Sequence, residues 1–175
     1  MIYLIGSMRN PRIPEIAARL RSEGYDVFDD WYSTGEQSDE KWQEYERARG
    51  RTYKQALAGA HAQDVFHFDK RWLSNADTVV LIMPAGRSGH LELGWSLGKG
   101  KRGIILLDGE PERYDIMLNF ADAICENVDD LMEELACPFM SMNAQSVGPV
   151  SSVWNTLMIP IHRLARVWRN IGTRP

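Results

Sequence analysis

The chain has little of what redox chemistry and structural metal require. Cysteine occurs twice in 175 residues, at Cys125 and Cys137, which makes neither a metal-binding spacing nor a disulfide framework. The four histidines, His61, His67, His90 and His162, are scattered. The sequence therefore predicts a protein with no structural metal and no cofactor. No run of 18 apolar residues occurs, so no membrane span is expected. The opening Met1-Ile2-Tyr3-Leu4-Ile5-Gly6 has no basic flank and is too short for a secretory signal, which predicts a cytoplasmic location. No internal repeat is visible.

Positive charge is also in deficit. Lys and Arg number 20 against 24 Asp and Glu, a net charge of −4. A protein that coats nucleic acid is normally basic, so that class is disfavoured. Acidic residues are missing altogether from 139–175, which carry Arg163, Arg166, Arg169 and Arg174. That tail contributes +4, which leaves −8 on residues 1–138 and marks a boundary near Pro138.

What is present suits an ordinary globular domain: 44% apolar and 25% charged residues. Ile2-Tyr3-Leu4-Ile5 ends at Gly6 and reads as a buried strand. Residues 12–23 carry Ile13, Ile16, Ala17 and Leu20 at helical spacing, and Gly24 is a natural stop. Tyr25–Phe28 reads as a second strand. A loop is expected over 33–39, then helix over 40–60 and again over 64–75. Asp77–Pro84 is the clearest strand, β-branched and ended by proline. A tight loop over 85–89 leads into a helix over 90–98 and a strand over 103–107. Helical segments over 112–120 and 128–135 flank a short strand at 123–125. This alternation predicts an α/β fold, a doubly wound and mainly parallel five-stranded sheet of flavodoxin or Rossmann type. Ligands on such sheets bind beyond the carboxyl ends of the strands. Residues 1–138 form the expected catalytic domain and 139–152 a linker. Residues 153–175 are expected to form an amphipathic helix, with Trp154, Leu157, Ile161, Leu164 and Trp168 along one face.

Two strand-to-helix turns carry residues suited to an anion. Gly6-Ser7-Met8-Arg9-Asn10 offers a hydroxyl, a guanidinium and a helix N-terminus. Ser7 and Arg9 read equally well as a turn serine and a surface arginine. Gly86-Arg87-Ser88-Gly89 repeats the pattern after the third strand. Glu92 follows it. A carboxylate in an early helical turn is favoured by the dipole, but it would repel a phosphate, which points to a role of its own at an electrophilic carbon. Asp69 either pairs with Lys70 or Arg71 on a helix surface, or stands with Glu92. Two carboxylates flanking a glycosidic bond are the usual equipment of glycosyl transfer. Trp31 reads as core or as a stacking face, and Tyr3, Gly6, Asp30 and Gly86 complete the candidates near base or sugar.

Three stretches together resemble the nucleoside 2-deoxyribosyltransferase superfamily: Tyr3-Leu4-Ile5-Gly6-Ser7-Met8-Arg9, Asp69-Lys70-Arg71-Trp72-Leu73-Ser74-Asn75-Ala76-Asp77, and His90-Leu91-Glu92-Leu93-Gly94. The resemblance spans about residues 1–136 and is closer to the 2'-deoxynucleoside 5'-monophosphate N-glycosidases. It implies Glu92 as nucleophile, Asp69 as its acidic partner, and Ser7, Arg9, Ser88 and Arg87 around a 5'-phosphate. Gly86 stands where the branch acting on unphosphorylated nucleosides carries an acid, and this departure favours the phosphorylated substrate. The resemblance also implies a homo-oligomer acting on a small nucleotide, with neither nucleic acid nor membrane as partner. A nucleoside transferase, a glycohydrolase of NAD or ribonucleotides, and a non-catalytic nucleotide-binding module are the alternatives. Residues 139–175 match nothing in the family.

Overall fold

The computed structural model of the chain describes residues 1–111 and 114–138. The expected linker and terminal helix, 139–152 and 153–175, lie outside the described residues. Five strands, Ile2–Ile5 (β1), Val27–Phe28 (β2), Thr78–Ile82 (β3), Arg102–Leu106 (β4) and Ala123–Cys125 (β5), form one sheet. Every pairing is parallel and the spatial order is β2-β1-β3-β4-β5. This is the doubly wound α/β fold that the alternation predicts, in its flavodoxin-like order.

Strand alternation sends the β1 side chains to two separate cores. Ile2 and Leu4 join Val80, Ile82, Ile104 and Leu106 on one face, where helix Arg12–Ser22 (α1) adds Ile13, Ile16, Ala17 and Leu20. Tyr3 and Ile5 join Val79, Leu81 and Ile105 on the other. There they meet Leu73 of helix Ala60–Asn75 (α4) and Leu93 of helix Arg87–Gly98 (α5). Period-two geometry makes this division unavoidable once β1 is paired on both edges. Helix Val128–Ala136 (α6) covers the α1 face through Leu131.

The region expected to be one helix over 40–60 is two, Ser38–Ala48 (α2) and Tyr53–Leu57 (α3). Gly50 takes a positive φ of 68° between them, and Thr52 with Gln55 closes a capping box that starts α3. Buried Glu46 bonds Arg51 at 3.0 Å across the break. The expected loop at 33–39 is mostly helical, since a 3-10 helix covers Asp30–Thr34 and α2 begins at Ser38. The second strand is shorter than expected, two residues in place of four. Beyond its end, the Trp31 indole N–H donates to the Leu4 carbonyl at 2.8 Å. The segment expected to be helical over 112–120 contains a 3-10 helix at Ile116–Phe120. Among the described residues no helix is long and apolar enough to cross a membrane.

Candidate active site

The sheet order reverses between β1 and β3. Crevices beyond the carboxyl ends of strands open at such a switch point. The turns leaving β1 and β3 therefore flank the expected ligand position, and these are the two turns that hold Ser7, Arg9, Gly86, Arg87 and Ser88. Asn10 ties them together. Its side-chain amide N–H donates to the Met83 carbonyl at 3.3 Å, and its Oδ1 accepts from the N–H of Arg12, the first residue of α1, at 3.0 Å.

Helix α5 starts earlier than the sequence suggests, at Arg87, with Gly86 as its N-cap residue. Its buried stripe is Gly89, Leu93 and Ser96, spaced as one helical face. Gly89 is required by close approach. A Cβ there would stand 3.0 Å from both Ile5 Cγ2 and Leu81 Cδ1. The missing side chain lets α5 lie directly on β1 and β3, which sets Glu92, one residue before Leu93, at the margin of the buried stripe. On α4, Asp69 lies one turn before buried Leu73 and so shares its sheet-facing side. Lys70 turns instead to the Phe66 ring, its Nζ 5.4 Å from the centroid.

Tyr3 pairs across the sheet with Phe28, and their rings stack at 5.1 Å. Phe28 stacks in turn on Trp72 of α4 at 4.7 Å, and Phe68 leans on both Phe28 and Trp72. This aromatic wall continues the face that holds Asp69 and Glu92.

The electrostatics join the three groups. Burial raises the Glu92 carboxyl from 4.5 to about 7, and the charge of Asp69 adds to the rise. Burial also raises Asp69 above the ordinary carboxyl range. Burial holds the Tyr3 phenol protonated well above its ordinary range, and Glu92 and Asp69 push the same way. Two carboxylates that interact in a partly dry site release their protons in sequence, not independently. The charge of Asp69 opposes ionisation of Glu92.

The phosphate candidates fall into two groups. Ser7 is half-buried, and its Oγ accepts from Arg9 N at 3.2 Å, which closes the turn. Arg87 and Ser88 open α5 and are exposed. His90 is occupied locally, with Nδ1 2.9 Å from the Gly86 carbonyl. Arg9 does not point free into solvent, because its guanidinium is ion-paired with Glu40 of α2. Sequence reading missed Glu40, which lies 31 residues away with no motif to flag it. It also missed Asp108, which pairs with Arg12 at 3.1 Å and adopts a positive φ of 51° beyond β4.

For the base or sugar, the structure brings Tyr3 to the carboxylates. Gly6 leaves β1 where a Cβ would meet Ile13 Cδ1 at 2.5 Å. Trp31 is half-buried and packs on both cores, so it is at once a core residue and the flank of the β1 edge. Asp30 is exposed and opens the 3-10 helix. Among the described residues no group of three or more His, Cys, Asp or Glu side chains is placed to hold a metal ion.

Compared with known proteins, the sequence matches no family model and no curated protein.

Proposed function

We propose that the protein cleaves the N-glycosidic bond of a 2'-deoxynucleoside 5'-monophosphate, releasing the base to water or exchanging it for another base. The observation that carries this reading is the trio of Tyr3, Asp69 and Glu92 on one face of the sheet, beside its switch point, with both carboxyl groups raised by burial. Perturbed carboxyl groups gathered in one place mark a reactive site more often than a structural one.

In this reading the Glu92 carboxylate attacks C1' of the sugar as the C1'–N bond breaks, through an oxocarbenium-like transition state. Asp69 delivers a proton to the departing base. The 2'-deoxy sugar is the easier substrate, since no electron-withdrawing hydroxyl opposes positive charge at C1'. In the second half, water or another base attacks C1', and Glu92 leaves as carboxylate. Asp69 takes the incoming proton. The buried phenol of Tyr3 positions the carboxylates. No cofactor is invoked.

The chemistry needs one proton on the pair, held by Asp69, while Glu92 is ionised. The pair supplies that proton as a unit, since the charge of Asp69 opposes ionisation of Glu92.

Ser7, Arg9, Ser88 and Arg87 form the proposed phosphate subsite. One observation favours a second reading, transfer between unphosphorylated nucleosides: Arg9 is already paired with Glu40. There Arg9 would serve structure alone. Incubation with deoxynucleotides, deoxynucleosides, ribonucleotides and NAD, each with and without a free acceptor base, followed by chromatography for released base and for exchanged product, separates these readings. Release or exchange from monophosphates alone supports the first, and neither from any of them refutes both.

The reading includes a homo-oligomer. Helices α4 and α5 expose Val65, Phe66, Phe68 and Leu91 close to the two carboxylates. Apolar surface of this kind suits contact with a second copy. Mass in dilute solution by light scattering decides it.

A further inference from the structure

The pairing of Arg9 with Glu40 raises a question of its own. Arg9 sits in the turn after β1 and Glu40 in the first turn of α2, so the contact joins two segments far apart in sequence. The Arg9 side chain is 66% exposed and that of Glu40 44%. A pair this exposed is held weakly and exchanges readily. Glu40 is also poorly served. Its Oε1 meets Arg9, while its Oε2 is buried with no hydrogen-bond partner among the described residues. A carboxylate oxygen left in that state loses solvation without compensation.

The surroundings add further negative charge. A depression beside the pair is lined by Arg9, Glu36, Gln37, Glu40, Lys41 and Glu44. Three carboxylates against two cations leave it net negative. An anion approaching Arg9 meets this field first. Once there, its oxygens compete for the same guanidinium N–H groups that Glu40 holds, and a dianionic phosphate is the stronger partner.

We infer that Glu40 is an internal competitor for the phosphate: its carboxylate occupies Arg9 in the free protein, and a 5'-phosphate must displace it to bind. This inference rests on the phosphate-directed form of the reading above. It makes Glu40 a specificity-determining residue. A ligand with a phosphate recovers more from Arg9 than it loses by breaking the pair. A ligand with a weaker anion, or with none, leaves the pair closed. The anion selectivity of the turn is then set by a residue of α2 that is absent from the turn itself.

The test is calorimetric titration with 2-deoxyribose 5-phosphate, which carries the phosphate and the sugar whatever the base. Titration with 2-deoxyribose serves as the uncharged comparison. Four proteins are compared: wild type, Glu40→Gln, Glu36→Gln and Arg9→Ala, with thermal midpoints recorded to confirm that each is folded. Glu40→Gln should bind the sugar phosphate about three- to tenfold tighter than wild type, because removal of a competing carboxylate frees an exposed cation. The gain should shrink as salt is raised. Glu36→Gln should change affinity less than twofold, and Arg9→Ala should weaken it at least tenfold.

Unchanged or weaker binding by Glu40→Gln, with Arg9→Ala still impaired, overturns the competitor and leaves the phosphate subsite standing. An equal gain from Glu36→Gln overturns it too, since the effect would then belong to the general field and not to the pair. If Arg9→Ala binds as wild type does, or if the sugar phosphate binds no protein better than 2-deoxyribose does, the competitor falls together with the phosphate reading.

Discussion

Asp69 and Glu92 stand on different helices, α4 and α5, yet the charge of the first raises the proton affinity of the second. Neither carboxylate owes this to its own helix. Glu92 is brought in by the close seating of α5 on Gly89, and Asp69 by the turn of α4 that ends in buried Leu73. The coupling is a product of packing on both sides of a gap, and it makes the pair sensitive to pH.

Base release should follow a bell-shaped pH profile in kcat/KM. Activity needs one proton on the pair, so the alkaline limb should fall near pH 7, where Glu92 gives up its proton. Asp69→Asn should lower the rate by about two to four orders of magnitude. It should also change the shape. Without the Asp69 charge, Glu92 ionises at lower pH, and the residual activity should rise to a plateau with no alkaline limb. A profile that keeps its alkaline limb in Asp69→Asn would show that the limb belongs to another group.

Glu92→Gln should abolish base release and leave the fold intact. It should also alter stability in a direction that can be worked out. The native carboxyl titrates at about 7 against an ordinary 4.5, so between these values the native state holds more protons than the unfolded one. Stability of the wild type therefore falls as pH rises through that window. The amide has no such dependence. The thermal midpoint of Glu92→Gln should match wild type near pH 4.5 and exceed it at pH 8. Parallel melting curves at the two pH values would refute the burial of this carboxyl.

Gly89→Val should impair both stability and function, because Gly89 is buried against the sheet. Even the first added carbon would lie 3.0 Å from Ile5 and Leu81, and two further methyl groups must fit as well. Overpacking of this kind costs about 1–3 kcal/mol. The helix can relieve it by lifting from the sheet, which carries Glu92 away from Tyr3. We expect a lower thermal midpoint and a larger fall in kcat than in substrate affinity. A stable variant with normal turnover would show that α5 need not seat closely.

Trp31→Phe removes the indole N–H together with the five-membered ring. The Leu4 carbonyl loses the donor now 2.8 Å away, and both cores lose part of their packing. An unpaired acceptor at a partly buried strand end costs about 1–3 kcal/mol. The expected result is a lower denaturation midpoint at unchanged slope in urea. No shift would mean that water replaces the indole without cost.

The fold was legible where hydrophobic pattern decides it. β3 reads directly from Thr78-Val79-Val80-Leu81-Ile82, and α1 from four apolar residues on one face. The misreadings have physical causes. A single helix over 40–60 ignored Gly50 and the Thr52–Gln55 capping box, both visible as letters. The brevity of β2 was not visible, because a side chain, Trp31, caps the β1 edge where another backbone pairing was expected. In the candidate site, Tyr3, Asp69 and Glu92 were named from sequence, and the structure sets them on one face. Glu40 could not be named, because ion pairs between exposed residues far apart in sequence leave no periodic trace.

β1 has only four residues, and they alternate between two duties. Ile2 and Leu4 anchor α1, while Tyr3 and Ile5 face the helices that carry the carboxylates. A single inserted or deleted residue here would exchange the two sets. Tyr3 would be driven among aliphatic side chains, and Leu4 would take its place beside Glu92. The strand therefore has no silent indel. Any change in its length strikes folding and chemistry at once, and a library of length variants across this segment should yield no protein that is stable yet inactive.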